Sequence, residues 1–449
     1  MVSLGRHDEA ALESRTQRIR LAMVPFHDVL GSFAARAALL PVAGAAAVLC
    51  SRRVVDIAGV RGFAIFSIFI TLPGLFPVSD FGLGATLTDV VAKTGLRSPQ
   101  TAATWRAVLN RLRLAALAAC VAGAVIALLG WWPSLLGLPG GSWIEAGGFA
   151  TLALLGLSIP LGIGQRVQLG AGRQTRATVF LSSGSVLSLV LVVCCGVFGL
   201  KVAVGLAIAY LVGAQAPQAA LFLLSRREIA HDVTPRRATE DLAPSSLAAT
   251  AWPMAIISIA LPLAYQADRV ILAHASNLVE VAKYSAGSTL YLPLLSVVLL
   301  GSQALWPLFL RLGGRADRLP TIYFRSFLIS GTVGLALAVA LIGFGKPLIA
   351  ILSHGQIHVS SLFLLAFGGL LLMFALHAPS GMFLMDLSGR RIQAIGAVLL
   401  VVVKLPVGYL IAPSYGATGL VVTTLLCALA FMVIPALIVS LRRVRSQQP

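Results

Sequence analysis

About twelve apolar segments of roughly 20 residues follow one another along this chain, the length that a helix needs to cross a bilayer core of about 30 Å. The short loops between them alternate between rich and poor in arginine and lysine. Hydrophobic residues make up 58% of the 449 residues, charged residues 11%, and the mean hydropathy is +0.92. A soluble domain has about 25% charged residues. The sequence therefore predicts an all-α polytopic membrane protein of about 12 transmembrane helices.

The basic residues indicate how the chain is oriented. Twenty-five of the 34 Lys and Arg residues lie in the two tails and in every second loop, and seven lie in the other loops. Because loops rich in Lys and Arg stay on the cytosolic side, we expect both termini in the cytosol. The first 28 residues lack the apolar core and cleavage site of a signal peptide, which favours a cytosolic tail.

Short repeated sequence motifs predict two related halves. The segment 40–43, Leu-Pro-Val-Ala, is echoed at 261–264 by Leu-Pro-Leu-Ala, and two further short motifs recur, with offsets between 214 and 221 residues. Each copy would hold six helices and so have the same orientation, as in transporters built from parallel repeats. The predicted organisation is a cytosolic tail (1–28), a lobe of helices 1 to 6 (29–224), a cytosolic linker (225–246), a lobe of helices 7 to 12 (247–441) and a C-terminal tail (442–449).

The sequence lacks the motifs of several enzyme classes. It has no Gly-x-x-x-x-Gly-Lys-Ser/Thr phosphate loop, no His-Glu-x-x-His, no Cys-x-x-Cys and no Gly-x-Ser-x-Gly. The five cysteines lie in or beside apolar segments, where cysteine acts as a small apolar residue. The net charge of +18 comes from loops beside apolar segments and favours a membrane over nucleic acid. We expect no catalytic site, no cofactor, no metal and no nucleic-acid partner.

Charged residues inside the apolar segments form the candidate substrate site, because such residues are costly to bury and usually face a wet cavity. Lys404 lies near the middle of the eleventh segment, and Arg36 lies near the inner end of the first. Asp268 and Arg269 are neighbours in the seventh segment, and Asp80 lies near the inner end of the second. Three alternatives stay open: a carboxylate partner for Lys404, extension of Arg36 to the headgroups, and a loop arginine beside Asp80.

Uncharged polar groups extend this candidate site. Tyr265, Gln266 and Tyr291 carry hydroxyl or amide groups that can bind a sugar, although aromatic residues near helix ends are also common interface anchors. His377 in the tenth segment is either hydrogen-bonded to a neighbour or takes part in proton coupling. Asp386, at the end of that segment, is expected to form an interfacial ion pair with a nearby arginine.

Two regions of the chain resemble the oligosaccharide flippases, the Wzx-type polysaccharide biosynthesis proteins of the multidrug/oligosaccharidyl-lipid/polysaccharide exporter superfamily. The resemblance to their N-terminal helices is carried by Ser51-Arg52-Arg53, Gly62-Phe63 and Ser79-Asp80-Phe81-Gly82-Leu83-Gly84-Ala85. The resemblance to their second lobe is carried by Asp268-Arg269 and Ala304-Leu305-Trp306-Pro307.

The resemblance implies a MATE-like transporter fold of twelve helices in two V-shaped lobes, placed in the bacterial inner membrane. It implies a flippase that moves a polyprenyl-diphosphate-linked oligosaccharide to the outer leaflet for O-antigen, capsule or exopolysaccharide synthesis. Cationic residues often line the cavity of this family, and Arg36, Arg269 and Lys404 fit that role. The implied partners are the lipid-linked oligosaccharide, membrane lipids and polysaccharide polymerase machinery. Unlike drug/cation antiporters of the superfamily, the first segment here has no acidic residue.

Two other functions stay open at this point. One is an ion-coupled exporter of drugs or small solutes, and the other is a membrane glycan polymerase or ligase. A positively charged cavity attracts an anionic cargo and repels a cationic drug, which favours the flippase over the drug exporter. The longest external loop runs only from Trp132 to Glu145, which is short for the catalytic loop of a glycan polymerase.

Overall fold

The computed structural model describes residues 5–75, 83–229, 244–303, 305, 309 and 319–446, with side chains from about residue 39 onward. Within these residues every regular element is helical, which confirms the predicted all-α class. The helices are α1 (Gly5–Leu75), α2 (Leu83–Thr94), α3 (Pro99–Leu128), α4 (Trp132–Leu136), α5 (Ser142–Leu161), α6 (Ile163–Gly170), α7 (Gln174–Val197), α8 (Ala203–Glu228), α9 (Pro244–Gln266), α10 (Asp268–Ala275), α11 (Leu278–Gln303), α12 (Leu319–Ser353), α13 (Ser361–Phe383), α14 (Leu387–Ala428), a π-helical turn (Leu429–Val433) and α15 (Ile434–Ser446).

Helix α1 folds back on itself at Gly59, whose backbone (φ 71°, ψ 179°) lies in a region open almost only to glycine. Contacts with α11 show the reversal. Ser285 donates a hydrogen bond to Ser67 at 2.7 Å, and a Cβ on Gly44 would lie 3.8 Å from the Pro293 side chain. Ser285 and Pro293 are about 12 Å apart along α11, whereas Gly44 and Ser67 would be about 34 Å apart on a straight helix. Helix α1 therefore supplies two antiparallel passes.

Helix α14 reverses in the same way at Gly416 (φ 53°, ψ −142°). A Cβ on Gly396 would lie 2.4 Å from the carbonyl oxygen of Phe431, which is possible only if the chain after Gly416 returns along the chain before it. Glu280 of α11 accepts a hydrogen bond from the Ala417 amide at 2.8 Å. A carboxylate at this position stabilises the start of the returning helix.

The two hairpins complete twelve passes within the described residues. By length and composition, eight helices qualify as membrane spans, or nine with the bent pair α9 and α10. Two of the eight, Pro41–Leu75 and Ser388–Arg445, are the hairpins and so cross twice, and α11 packs beside them as a further pass. Gly59, Gly416 and the turns at 129–141, 198–202 and 353–360 share one end of the molecule, which we call the hairpin end. The opposite end carries the turns at 95–98, 171–173 and 384–386, and we call it the arginine end.

Apolar side chains cover the outer surface of the bundle, as expected for contact with lipid. Leu128, Phe198 and Leu410 are 87%, 88% and 75% exposed. Between helices, small residues allow close approach, because lipid offers little hydrophobic drive for helix association. A Cβ on Gly164 of α6 would lie 2.5 Å from the backbone nitrogen of Phe222 in α8, and one on Gly213 would lie 2.5 Å from the Cα of Ser188.

Adding a methyl group at one such contact is expected to destabilise the protein. In Gly164→Ala the new Cβ meets backbone atoms of Phe222 and Leu221, so α8 must move. We expect the free energy of unfolding to fall by about 1–3 kcal/mol, seen as a lower melting temperature in detergent. Gly343→Ala in α12 is the matched control, since nothing lies within 4 Å of its Cβ position. Equal melting temperatures for the two variants would contradict the close contact.

Ion pairs at the arginine end join turns to helix ends. Glu228 at the end of α8 binds Arg173 at 2.9 Å and Arg176 at 3.0 Å. Asp386 forms an ion pair, as the sequence predicts, but its partner is Arg443 of α15 at 2.8 Å rather than the nearby Arg390 or Arg391. Burial raises the pKa of Asp386, but hydrogen bonds from Ser388, Arg443 and the Gly389 amide outweigh it and hold the pKa below its ordinary value. This contact therefore stabilises the fold at neutral pH and weakens in acid.

Candidate functional site

The candidate site is centred on a bend between α9 and α10. The two helices meet at Ala267 at an angle of 42°, five residues after Pro262, which cannot donate a backbone hydrogen bond. The bend leaves the carbonyl oxygen of Ala264 open to a side-chain donor, and Lys404 of α14 donates to it. It also places Asp268 at the first position of α10, pointing toward the same lysine.

Lys404 and Asp268 form a buried ion pair. The Lys404 Nζ lies 2.7 Å from Asp268 Oδ1, and the two side chains are 0% and 1% exposed. This corrects the expectation that Lys404 is an unpaired cation in a wet cavity; the alternative of a carboxylate partner is the one found. The reason is energetic, because a lone ammonium in a dry helix interface would be costly, and a facing carboxylate offsets much of that cost.

The Asp268 carboxylate has further partners. Tyr284 of α11 donates a hydrogen bond to Asp268 Oδ2 at 2.7 Å, and Thr424 of α14 lies 3.5 Å from the same oxygen. Lys404 also lies over the ring of Tyr265, 5.6 Å from its centre. Side chains from α11 and from both arms of α14 thus surround this carboxylate, and the facing ammonium of Lys404 offsets the cost of its burial.

Arg269 lies beside the pair and turns away from it. Its Nε donates to Ser285 at 3.0 Å, an NH group lies 3.5 Å from Gln266 Oε1, and the guanidinium lies 5.4 Å from the centre of the Tyr284 ring. The residue is only 4% exposed. Among the described residues the cluster therefore holds two cations and one carboxylate, so it is net positive. Neutral hydroxyl, amide and aromatic groups hold the second cation.

The same cluster connects the two halves of the chain. Ser285 of α11 receives the bond from Arg269 and donates to Ser67 on the returning arm of α1, which in turn donates to Ala64 O at 2.7 Å. Gln266 packs against Gly74 of that arm, where a Cβ would come within 3.2 Å of it. A displacement of one half against the other at this depth must break the Ser67–Ser285 bond.

Aromatic and unpaired polar groups border the cluster. Tyr265 packs edge-on against Phe374, and its hydroxyl lies 3.8 Å from the Met432 sulfur. In the part of the chain that the structure describes, the buried Tyr291 hydroxyl and His377 Nδ1 have no hydrogen-bond partner. Unpaired buried polar atoms are rare in native proteins and are often found at functional sites.

Two predicted site residues fall outside this description. The side chain of Arg36 and the whole of Asp80 lie outside the described residues, so their roles stay predictions. Ser67, Ser285 and Thr424 were missed by the sequence reasoning. A signal for two of them exists, since Ser67 and Ser285 are 218 residues apart, within the offsets of the repeated motifs.

A cavity of about 290 Å³ lies apart from this cluster, at the hairpin end. Its lining is mostly polar and includes Glu280, Lys283, His358 and Tyr415. Glu280 is occupied by Lys283 at 2.6 Å and by the Ala417 amide. None of the predicted substrate-binding residues in the described chain lines this cavity.

Solved structures with the same fold are membrane transporters. The chain aligns with the lipid II flippase MurJ in an inward closed conformation at a TM-score of 0.68 and 14% identity, covering 91% of this chain and 89% of that one. An inward-facing multidrug resistance MATE family transporter of the MOP superfamily aligns at a TM-score of 0.64 and 13% identity, covering 93% of this chain and 99% of that one. An outward-facing one aligns at a TM-score of 0.57 and 15% identity, covering 95% of this chain and 97% of that one. No protein-family model and no curated protein sequence matches the chain. Identities of this size establish a shared fold and do not by themselves determine function.

Proposed function

We propose that this chain is a flippase that moves a polyprenyl-diphosphate-linked oligosaccharide across the bacterial inner membrane for surface polysaccharide synthesis. The observation that carries the proposal is the net positive charge of the buried cluster, in which Arg269 has no carboxylate of its own. The shared fold supports transport as the kind of activity, and a flippase of a lipid-linked substrate is among the proteins with that fold.

The charge of the cluster favours an anionic cargo. Lys404 is neutralised by Asp268, so Arg269 is the cation left for a substrate. A guanidinium can bind two phosphate oxygens through two parallel hydrogen bonds. For Arg269 to do so, the phosphate must replace Gln266 or Ser285 as its hydrogen-bond acceptor. We infer that a diphosphate or acidic sugar displaces these neutral partners, which hold the guanidinium more weakly than an anion does.

The polar groups around Arg269 support recognition of a sugar. Gln266 offers an amide, and the buried Tyr291 hydroxyl and His377 ring nitrogen lack partners in the described chain. Tyr265 packs against Phe374 and Tyr284 against Phe367, on α11 and α13, the helices that also carry Tyr291 and His377. Carbohydrate sites combine such aromatic faces with a few directed polar groups.

An ion-coupled exporter is the second candidate, favoured by one observation. Asp268 is a buried carboxylate whose neutralisation would free Lys404 and Tyr284, so a proton or metal cation at this position is a possible coupling step. In that case the cargo would be a small solute, as for the MATE family transporters of the same fold.

Replacement of Arg269 tests the proposal. In cells that lack the chromosomal copy, Arg269→Gln is expected to lower export of the lipid-linked glycan about tenfold, while Arg269→Lys keeps the charge and loses only about two- to threefold. The readouts are surface polysaccharide and undecorated lipid-linked repeat units on the cytosolic side. Lys346→Gln, at an exposed lysine that donates to Ser361, is the matched control.

The outcomes separate the candidates. Normal export by Arg269→Gln at equal protein level would contradict the assignment of Arg269. If instead the strain without the protein exports glycan normally but becomes sensitive to drugs, the exporter is correct and the flippase is wrong.

A further inference from the structure

Two histidines join the two halves of the chain at the hairpin end. His354, in the turn between α12 and α13, forms an ion pair with Asp56, three residues before the reversal of α1 at Gly59. His274, in the last turn of α10, places Nε2 2.8 Å from the carbonyl oxygen of Ser134 in α4. In both contacts one partner comes from the first half and the other from the second half.

The two contacts occupy equivalent places in the two halves. His274 follows Asp56 by 218 residues, and His354 follows Ser134 by 220 residues, both within the range of the repeated sequence motifs. The Ser67–Ser285 bond has the same offset of 218 and lies deeper in the bundle than either histidine contact. Three contacts therefore join the two halves, through residues that are related by the internal repeat.

Each ring nitrogen of His274 faces a carbonyl oxygen. Its Nε2 faces Ser134 O, and its Nδ1 faces Val270 O, each at 2.8 Å. A neutral imidazole has one N–H and one lone pair, so one of these carbonyl oxygens would face a lone pair. The imidazolium donates to both. His354 likewise binds the Asp56 carboxylate as an ion pair only when protonated.

Two further charge contacts lie at this end, and the buried Oε2 of Glu145 in α5 has no hydrogen-bond partner in the described chain. Arg53 lies 3.6 Å from Asp56 on the same helix. On α11, which packs against α10, Glu280 and Lys283 bind each other at 2.6 Å. Within the described residues, His274 contacts only carbonyl oxygens; the imidazolium donates to both Ser134 O and Val270 O, whereas a neutral ring donates to one of them.

We propose that His274 and His354 form a proton-sensitive clasp that holds the two halves closed at the hairpin end. Loss of the two protons removes an ion pair and leaves a carbonyl facing a lone pair, which favours separation of the halves there. By the distribution of arginine this end faces outward, so an alkaline exterior promotes the outward-open state. The proposal relies on transport by alternating opening of two ends, as part of the proposed function, and holds for any cargo.

Spin-label distances across the hairpin end test the clasp. Labels at Leu135 of α4 and Val279 of α11, both exposed and outside the clasp, report the separation of the halves in a background without the five native cysteines. We expect the population at the longer distance to rise about five- to tenfold between pH 5.5 and pH 8.5, in keeping with two partly exposed contacts. A population that does not change with pH would overturn the proposal.

Variants separate the clasp from other pH effects. His274→Gln/His354→Gln is expected to show the longer distance at both pH values, whereas His354→Lys keeps a cation beside Asp56 and should open less at pH 8.5 than the unmodified protein. His358→Gln is the matched control, because His358 lines the nearby cavity without bridging the halves, and it should respond to pH like the unmodified protein. An unchanged pH response in the double Gln variant would also overturn the proposal. Since distances are measured without cargo, failure of this test is distinguishable from failure of the flippase assignment.

Discussion

Asp268→Asn is expected to lower the free energy of unfolding by about 3–5 kcal/mol, the cost of breaking a buried ion pair from one side. The substitution keeps the shape of the side chain but leaves Lys404 and Arg269 as two buried cations with no facing carboxylate in the described chain. It also replaces the acceptor of the Tyr284 hydroxyl with a weaker one. The measurement is equilibrium unfolding of the purified protein in detergent.

Lys404→Met is expected to cost less, about 1–2 kcal/mol, because the remaining Asp268 carboxylate keeps the Tyr284 bond and the neighbouring Arg269 charge. The double variant Asp268→Asn/Lys404→Met should recover much of the loss caused by Asp268→Asn alone, since it removes both members of the pair. Lys346→Met at an exposed site controls for the loss of a lysine. If Asp268→Asn, Lys404→Met and the double variant all unfold like the unmodified protein, the ion pair contributes nothing to stability.

Gly416→Ala is expected to destabilise the fold by about 3–4 kcal/mol, from two separate causes. The positive φ of 53° is strained for any residue with a Cβ. In addition, the Cβ would lie 2.2 Å from Glu280 Oε2, the oxygen that accepts the Ala417 amide bond. The hairpin would then lose both its turn geometry and the cap of its returning helix.

The two causes can be separated by comparison with the other hairpin. Gly59→Ala introduces the same kind of backbone strain, but nothing lies within 4 Å of its Cβ position. We therefore expect the free energy of unfolding to fall by only about 1–3 kcal/mol. In Gly416→Ala/Glu280→Ala the clash is removed, and the loss should approach that of Gly59→Ala once the missing cap is allowed for. Melting temperatures in detergent give the ranking, and a Gly59→Ala variant less stable than Gly416→Ala would contradict this account.

Much of the fold was predictable because a bilayer imposes a simple pattern on sequence. The twelve apolar segments correspond to the helical passes, and the short connection at Lys201 is a real turn between Val197 and Ala203. The two hairpins at Gly59 and Gly416 are the exception in detail. The sequence predicts a loop at 51–61, but the helix continues through these residues to Gly59, since a single glycine is enough to reverse it.

The candidate site was predictable as a set of residues, but its pairing was not. Lys404, Asp268, Arg269, Tyr265 and Gln266 do come together around the bend after Pro262. Which of the two cations meets the carboxylate depends on the direction of each side chain. Adjacent helical residues diverge by about 100°, so Asp268 faces α14 while Arg269 faces α11.

The linear order of apolar and basic residues determined that this chain crosses a membrane about twelve times as helices, because each pass must be apolar over about 20 residues. Only the tertiary structure decided that Lys404 is neutralised by a carboxylate 136 residues away and that Arg269 is the remaining cation. The rotation and axial offset of each helix set such contacts, and they follow from packing between distant segments, which hydropathy along the chain does not encode.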